Sequence, residues 1–292
     1  MNYDQEIPMQ ETSHDVWDQI IKPKRKWLDL RLNELWQYRD LILLFVRRDF
    51  VSIYKQTILG PLWYVIQPLL TTIVFTIIFG HVARLPTDGL PPFLFYMSGT
   101  VIWSYFATCT TKTSDTFISN ANLFGKVYFP RLSVPIAIVI SNLVAFAIQF
   151  AMFLGFLIFF IITGTDVNPN FYVLLTPVLL IIEAGLGLGF GIIVSSMTTH
   201  YRDLRYLVGF GVSLWMYVTP VIYPVSAIPG QYQFIIQANP MTPIVEAFRY
   251  AYLGNGTVNF INLGYSFGFM VVVLIIGIVL FNRIEQTFMD TI

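Results

Sequence analysis

Six stretches of this sequence are apolar over lengths that match the thickness of a lipid bilayer. A membrane-spanning helix needs about 20 mainly apolar residues. Only 12% of the residues are charged, whereas a soluble domain has about 25%. The six segments are Pro61–Gly80, Gly89–Thr111, Leu132–Thr165, Phe171–Met197, Tyr206–Tyr223 and Phe260–Asn282. We therefore predict an all-α, polytopic membrane protein with six transmembrane helices.

The basic residues are distributed unevenly between the two sides that six crossings create. Cytoplasmic loops of membrane proteins carry an excess of Lys and Arg. If the N-terminus is cytoplasmic, fifteen Lys and Arg residues lie on that side, and only Arg84 and Arg249 lie on the outer side. The sequence thus predicts a multi-pass protein of the cytoplasmic (inner) membrane with both termini in the cytoplasm.

The first 56 residues divide into two parts. Residues 1–27 are polar and of mixed charge, which indicates a cytoplasmic extension rather than a cleaved signal peptide. Residues 28–56 place Asn33, Gln37 and Arg47 among apolar and aromatic side chains. This pattern is typical of an amphipathic helix at the membrane surface. A water-soluble helix is the alternative, which the apolar run 41–46 disfavours. Residues 57–292 then form the transmembrane domain.

The segment between the fifth and sixth predicted spans is apolar and yet rich in proline. Residues 206–245 carry no charge, but residues 217–230 read YVTPVIYPVSAIPG. Proline ends helices, and irregular backbone at membrane depth needs protein or a cavity around it. We expect two short re-entrant helices, broken at Asn239-Pro240 and at Pro243. An extracellular loop with a hydrophobic patch is the alternative.

The sequence carries no recognisable motif for catalysis, metal binding or nucleic-acid binding. Gly125-Lys126 lacks the rest of a phosphate-binding loop, since Asn120 and Val127 stand where that motif has glycine and serine or threonine. The three histidines and the single Cys109 are too scattered for a metal site. A formal net charge of zero argues against a nucleic-acid surface. We expect no enzyme, no cofactor in this chain and no nucleic-acid partner.

Glu183 is the one ionisable residue near the middle of a predicted span. Such residues are costly and often functional. An ion-coupled transporter is therefore one interpretation, and a carboxyl group hydrogen-bonded between helices is the other. The adjoining sequence GLGLGFG pairs Gly185 with Gly189 and Gly187 with Gly191 at a spacing of four. That spacing predicts close helix packing.

Aromatic residues make up 16% of the chain. Tyr and Trp collect at membrane interfaces for ordinary reasons, and aromatic faces also stack on sugar rings. If some of them line a pore, a glycan is a plausible cargo. The candidates for such a path are Trp63, Phe75, Trp103, Trp215 and Tyr217.

Four stretches, in this order, resemble the membrane subunit of ABC-2 type exporters for lipid-linked polysaccharide. They are VRRD at 46–49 continuing into YKQTILGPLWYVIQPLLTTIVFTIIFG, NANLFGKVYFPR at 120–131, YRDLRY at 201–206, and LWMYVTPVIYPVSAIP with NPMTPIVEAFRY within 214–250. The resemblance covers about residues 30–290. The polar N-terminal extension and Glu183 depart from the family pattern.

The resemblance implies a permease for lipid-linked polysaccharide, with O-antigen as the first expectation. It implies two copies forming a channel, each docked on one of two cytoplasmic ATPase subunits that bind the ATP and Mg²⁺. The surface helix would brace the lipid entrance. The implied ATPase contacts are Asn120, Asn122, Leu123, Lys126, Phe129, Pro130, Arg131, Tyr201, Arg202 and Asp203. The implied outer gate is Pro220, Tyr223, Pro224, Pro229, Asn239 and Pro240.

Other functions stay open at this point. An ABC-2 permease for teichoic acid, a small lipid or a drug would have the same architecture. An ion-coupled secondary transporter would use Glu183. A membrane glycosyltransferase would need a cytoplasmic acidic pair, which the sequence does not offer.

Overall fold

The computed structural model describes residues 32–56, 58–198, 201 and 203–288. Every regular element in these ranges is a helix, as the sequence predicts. The N-terminal extension lies outside the described residues, as does the start of the predicted surface helix. The α-helices are α1 (Leu32–Gln37), α2 (Arg39–Gln56), α3 (Trp63–Phe75), α4 (Pro92–Ser114), α5 (Thr116–Ser119), α6 (Ala121–Phe124), α7 (Ser133–Ile162), α8 (Thr176–Thr198), α9 (Leu204–Val218), α10 (Gly230–Gln237), α11 (Thr242–Leu253) and α12 (Phe260–Phe288).

Three shorter elements extend these helices. A 3₁₀ turn at Gly60–Leu62 leads into α3, and a π-helix at Thr76–Val82 continues it. A 3₁₀ turn at Phe171–Leu175 leads into α8. A further 3₁₀ turn, Val225–Ala227, lies between α9 and α10.

Four helical segments among the described residues are long and apolar enough to cross a membrane. They are Gly60–Val82, Ser133–Ile162, Phe171–Thr198 and Phe260–Ile284, and they coincide with the first, third, fourth and sixth predicted spans. The second predicted span is α4, which has 23 residues but more polar side chains. The fifth is α9, whose 15 residues fall short of the roughly 20 that a crossing needs. The count of six crossings stays a prediction.

Helix α4 lies at the centre of the bundle, in contact with α3, α7, α8, α9 and α11. Its aromatic side chains Phe95, Tyr96 and Phe106 are fully buried. The buried hydroxyl of Ser98 donates to the carbonyl of Phe95 at 2.8 Å, one turn earlier in the same helix. Because such bonds satisfy hydroxyl groups locally, α4 can be central and buried while being less apolar than its neighbours.

The glycines of α8 allow two helices to approach it closely. A Cβ atom added at Gly185, Gly187, Gly189 or Gly191 would lie 2.4 to 2.8 Å from the nearest side-chain atom of a neighbouring helix. Gly187 and Gly191 face α4, whereas Gly185 and Gly189 face α12. The prediction of close helix packing from the four-residue spacing is confirmed.

Helices α1 and α2 attach to the bundle along one side only. Ile42 and Phe45 are buried, and the ring centroid of Phe45 lies 5.7 Å from that of Phe129. On the other side, Trp36 is 70% exposed and Leu43 is 60% exposed. Exposed apolar side chains on an attached helix are typical of one that lies in a membrane surface. This arrangement favours the interfacial interpretation over a water-soluble helix.

Two short helices, α10 and α11, connect α9 to α12. Helix α9 ends at Val218, just before Pro220, and the break between the short helices contains Asn239-Pro240 as predicted. The second predicted break is wrong, because Pro243 lies in the first turn of α11. Proline is accommodated there because the first N–H groups of a helix need no partner within it. That these helices re-enter the membrane is not established by their geometry.

Candidate functional site

Helices α3, α4, α7 and α9 enclose a groove with many polar side chains and a volume of about 300 Å³. We call it the polar groove. Its polar residues are Gln67 and Thr71 on α3, Thr100, Ser104, Thr108 and Lys112 on α4, and Gln149 on α7. Its other lining residues are Trp63, Tyr64, Pro68, Trp103, Ala145 and Met216.

The polar residues of α4 form a single row along the groove. Thr100, Ser104, Thr108 and Lys112 are four residues apart, so they lie on one face of the helix. Twelve residues of α-helix rise about 18 Å, which is the length of the row. The spacing is visible in the sequence, but without the neighbouring helices nothing separates these residues from the other hydroxyl residues of α4.

Hydrogen bonds between helices hold the polar groove in shape. Ser104 Oγ donates to Gln149 Oε1, which joins α4 to α7. Lys112 Nζ donates to Asn142 Oδ1 at 3.0 Å, which joins the same two helices nearer the end of α4. These bonds orient the side chains before any ligand arrives, and hydroxyl and amide groups retain capacity for further hydrogen bonds.

The polar groove continues towards α2. A second cavity of about 270 Å³ shares Tyr64 and Lys112 with the groove. Its wall includes Asp49, Phe50 and Ser52 of α2. Tyr64 and Lys112 thus lie between the polar groove and α2, the helix whose exposed apolar side is expected to lie in the membrane surface.

The structure brings some of the predicted path aromatics together and leaves others apart. Trp63 and Trp103 both line the polar groove. Trp215 packs against Trp103, with ring centroids 6.4 Å apart. Phe75 is buried outside the groove, and Tyr217 lies on α9 with 51% of its surface exposed. Two of the five candidates thus face the groove directly, and one supports them.

The predicted ATPase contacts that the structure describes lie at one end of the bundle, where α4, α8 and α9 meet. Arg205 Nε of α9 lies 3.3 Å from Asp115 Oδ2, which follows α4. The hydroxyl of Thr198 at the end of α8 donates to the carbonyl of Ser114 at 3.2 Å. Segment 120–131 and residues Tyr201 and Asp203, distant in sequence, are therefore anchored at the same end.

Exposure separates the predicted ATPase contacts among the described residues into three groups. The exposed residues are Asn122, Lys126, Tyr201 and Asp203, the half-buried ones are Asn120, Leu123 and Pro130, and the buried ones are Phe129 and Arg131. Arg202 lies outside the described residues. Because the guanidinium of Arg131 lies 5.3 Å from the ring centroid of Phe124, we expect the buried pair to support the loop and the exposed residues to meet a partner.

Residues 40–253 match the ABC-2 type transporter family. The match runs from the second residue of α2 to the last residue of α11. This chain belongs to the ABC-2 type transporter family. The polar groove and the predicted ATPase contacts all lie within the part of the chain that matches the family.

Relatives of this ABC-2 transporter chain include three proteins that it matches over most of their length. The O-antigen export system permease protein RfbA of Klebsiella pneumoniae is 28% identical, over 86% of this chain and 94% of that protein. The polysialic acid transport protein KpsM of Escherichia coli is 24% identical, over 80% and 89%. The capsule polysaccharide export inner-membrane protein CtrC of Neisseria meningitidis is 23% identical, over 87% and 95%.

The predicted outer gate of the ABC-2 chain lies at the opposite end of α4. The structure buries Pro220, Pro224, Asn239 and Pro240, half-buries Tyr223 and exposes Pro229. Asn239 Nδ2 donates to Thr219 Oγ1 at 2.8 Å, and Ser266 Oγ of α12 donates to the carbonyl of Pro240 at 2.8 Å. These bonds tie the helix breaks to each other and to α12, so the segment has a defined shape. Its role as a gate is untested.

Glu183 lies in α8 away from the polar groove of the ABC-2 chain. Its side chain is fully buried beside Leu179 and Leu186, which lie on the same helix face. Neither carboxyl oxygen has a hydrogen-bond partner in the part of the chain that the structure describes. Across the helix interface, α4 brings the backbone of Phe106 and the side chains of Tyr105 and Cys109 near this carboxyl group. The interpretation of a carboxyl group held between helices stays a prediction. Within the described ranges, no group of three or more His, Cys, Asp or Glu side chains is placed to hold a metal ion.

Proposed function

We propose that this chain is the membrane-spanning subunit of an ABC exporter that moves lipid-linked polysaccharide, with O-antigen as the first expectation, across the cytoplasmic membrane. The observation that carries the proposal is the polar groove, a row of hydroxyl, amide and ammonium groups beside two tryptophans. Membership of the ABC-2 family and the names of the relatives support the same substrate class.

The lining of the polar groove matches the surface of a sugar chain. A pyranose ring presents hydroxyl groups around its edge, which hydroxyl and amide side chains can bind as donors or acceptors. It also presents apolar C–H faces, which suit the ring of Trp63, 48% of whose surface is exposed. A row about 18 Å long accommodates several successive rings. Weak and repeated contacts suit a cargo that must keep moving.

A second copy of this chain would complete the path. Helix α9 contributes Met216 to the polar groove and leaves Phe210 and Leu214 exposed by 62% and 49%. These two residues are four apart and share one helix face. We propose that the two copies meet along this exposed side of α9.

The energy would come from two copies of a separate cytoplasmic ATPase, which would bind the ATP and Mg²⁺. The sequence has no phosphate-binding loop of its own. We propose that the ATPase docks on the exposed residues Asn122, Lys126 and Tyr201. Its ATP-driven closure would move the ends of α4 and α9, which the Arg205–Asp115 ion pair connects. ATPase binding biases opening only by its difference in affinity for the two states.

A bulky side chain in the polar groove is expected to block export. Thr108 is half-buried in the middle of the row on α4, so Thr108→Trp fills space that the sugar chain needs. In a strain whose own gene is deleted, this variant should leave surface glycan at the level of the deletion strain, with glycan intermediates accumulating inside. Immunoblotting of membranes and glycan staining of the cell surface measure both quantities.

The matched control for Thr108→Trp is Leu70→Trp. Leu70 lies on α3 outside the groove and is 55% exposed, so the added ring has space. This control should restore surface glycan. Normal surface glycan with Thr108→Trp, at equal amounts of protein in the membrane, would contradict a path through the polar groove.

Transport by the Glu183→Gln variant distinguishes the proposed ATP-driven exporter from an ion-coupled transporter. The glutamine side chain has nearly the same shape and lies outside the polar groove, so ATP-driven export should continue at close to the original rate. An ion-coupled carrier that uses this carboxyl group would lose transport. Export in membrane vesicles, with ATP present and the ion gradients collapsed, distinguishes these outcomes.

A further inference from the structure

A third cavity, also polar, lies at the end of the bundle opposite the predicted ATPase contacts. It has a volume of about 320 Å³ and forms where the loop before α4 meets α10, α11 and the start of α12. Five carboxamide side chains line it: Gln233, Gln237, Asn255, Asn259 and Asn262. We call it the amide-rich pocket.

Hydrogen bonds connect the walls of the amide-rich pocket to the predicted gate segment, residues 220–240, which contains the outer-gate residues. Asp88 Oδ1 accepts a hydrogen bond from Ser226 Oγ at 2.8 Å. The carbonyl of Asp88 accepts from Asn255 Nδ2 at 2.6 Å. The loop before α4 is therefore fastened both to the gate segment and to the loop that follows α11. A ligand in the pocket would touch all three.

Arg249 supplies a buried donor with no acceptor. Its side chain lines the pocket and is only 4% exposed, and its guanidinium carbon lies 3.7 Å from the ring centroid of Phe95. Its Nη2 donates to the carbonyls of Pro220 and Val221 at 3.1 and 3.3 Å. Its Nε has no partner in the described part of the chain. Since buried donors are nearly always paired, this atom indicates a ligand or water that supplies an oxygen.

The charges around the pocket disfavour an ionic ligand. Asp88 and Glu246 lie on its wall with Arg249, so two carboxyl groups oppose an anion and a guanidinium opposes a cation. Burial and the neighbouring Asp88 raise the pKa of Glu246 to about 7, and Arg249 lowers it less than burial raises it. Near neutral pH this carboxyl group is present in both forms, and the protonated one can donate a hydrogen bond.

Carboxamides both donate and accept hydrogen bonds, which suits the hydroxyl groups of a neutral ligand. Ser226, Thr242 and Thr257 add hydroxyl groups to the same wall. The volume lies at the lower end of the range of about 300–1,000 Å³ typical of ligand pockets. A sugar residue has the size and the hydroxyl groups that this lining requires.

We propose that the amide-rich pocket binds sugar residues of the exported glycan as the chain leaves the channel. This inference rests on the proposed function and adds a second sugar-binding site to it, separate from the polar groove. Asp88 in the pocket wall accepts a hydrogen bond from Ser226 of the predicted gate segment. A glycan in the pocket would therefore lie next to that segment. An occupied pocket therefore keeps the gate segment and the loop before α4 in contact with the same ligand.

Site-specific photo-crosslinking in the assembled exporter tests this proposal. A benzophenone amino acid replaces Gln237, an exposed residue of the pocket, in cells that produce the glycan. The matched control carries the same probe at Ile235, which lies on the same helix outside the pocket and is 56% exposed. Irradiation should attach glycan several-fold more to position 237 than to position 235, measured by glycan staining and mass spectrometry of the purified chain.

A probe at a second position of the pocket controls for a local effect of the substitution at Gln237. Gln233 lies one helical turn before Gln237 and also lines the pocket, so its probe should capture glycan too. Glycan labelling at Ile235 equal to that at Gln237 would overturn the proposal. So would adducts with protein or lipid alone, or the absence of a glycan adduct at both pocket positions. If deletion of the gene leaves surface glycan unchanged, the proposed function itself fails. If deletion abolishes surface glycan while the probes capture none, only the pocket proposal fails.

Discussion

Gly191→Val is expected to prevent the bundle from assembling stably. A Cβ atom at this position would lie 2.5 Å from Thr113 Cβ and 3.1 Å from the carbonyl oxygen of Thr110. Both atoms belong to α4, which is packed on several sides and cannot move away. Overpacking a core costs about 1–3 kcal/mol, and valine adds two methyl groups beyond the Cβ. We expect little folded protein in the membrane and a markedly lower unfolding temperature in detergent.

Gly155→Val is the control for that prediction. Gly155 is also within a long helix, α7, but no atom lies within 4 Å of where its Cβ would be. Valine there gains a few tenths of a kcal/mol in helix propensity over glycine, so the amount of protein and its unfolding temperature should be unchanged or higher. Equal behaviour of the two variants would contradict the close contact of α8 with α4.

Arg249→Met is expected to weaken the junction between α9 and α11. Methionine fills similar space but leaves the buried carbonyls of Pro220 and Val221 without the donor that now serves both. An unsatisfied buried acceptor costs about 1–3 kcal/mol, and loss of the contact with Phe95 adds about 1 kcal/mol. Removing a buried charge offsets part of this, so we expect a net loss of about 2–4 kcal/mol.

Arg205→Met is the matched control for Arg249→Met. The side chain of Arg205 is 51% exposed, and it pairs with Asp115 at the other end of the bundle. An exposed ion pair contributes about 0–1 kcal/mol, so its loss should change the unfolding temperature little. Thermal unfolding of both purified variants gives the comparison. Similar stabilities would show that Arg249 does not hold the junction as described.

Much of the helical architecture is predictable because the ability of a segment to span a membrane depends on its length and apolar composition. The break at Asn239-Pro240 follows from the chemistry of proline. Pro243 was misjudged because its tolerance depends on its place in a helix, and the sequence does not show where α11 begins. The surroundings of Glu183 are not predictable from the sequence, because they come from the packing of α8 against α4.

The polar groove and the amide-rich pocket are less accessible to sequence reasoning. The row on α4 becomes a groove only when Gln149 on α7 and Trp63 on α3 are brought beside it. The amide-rich pocket joins Asp88 to Asn255, which are 167 residues apart. Hydropathy gives no information on such long-range contacts, and the loops that form this pocket have no periodic pattern.

In the proposed function, this chain forms a conduit whose energy comes from another subunit. Transport of lipid-linked glycan across vesicles that contain the purified chain, with and without its ATPase partner, tests this. We predict translocation only when the active ATPase and ATP are both present, and none with an ATPase variant that cannot hydrolyse ATP. Full transport by the chain alone, or transport driven by an ion gradient without ATP, would contradict the proposed function.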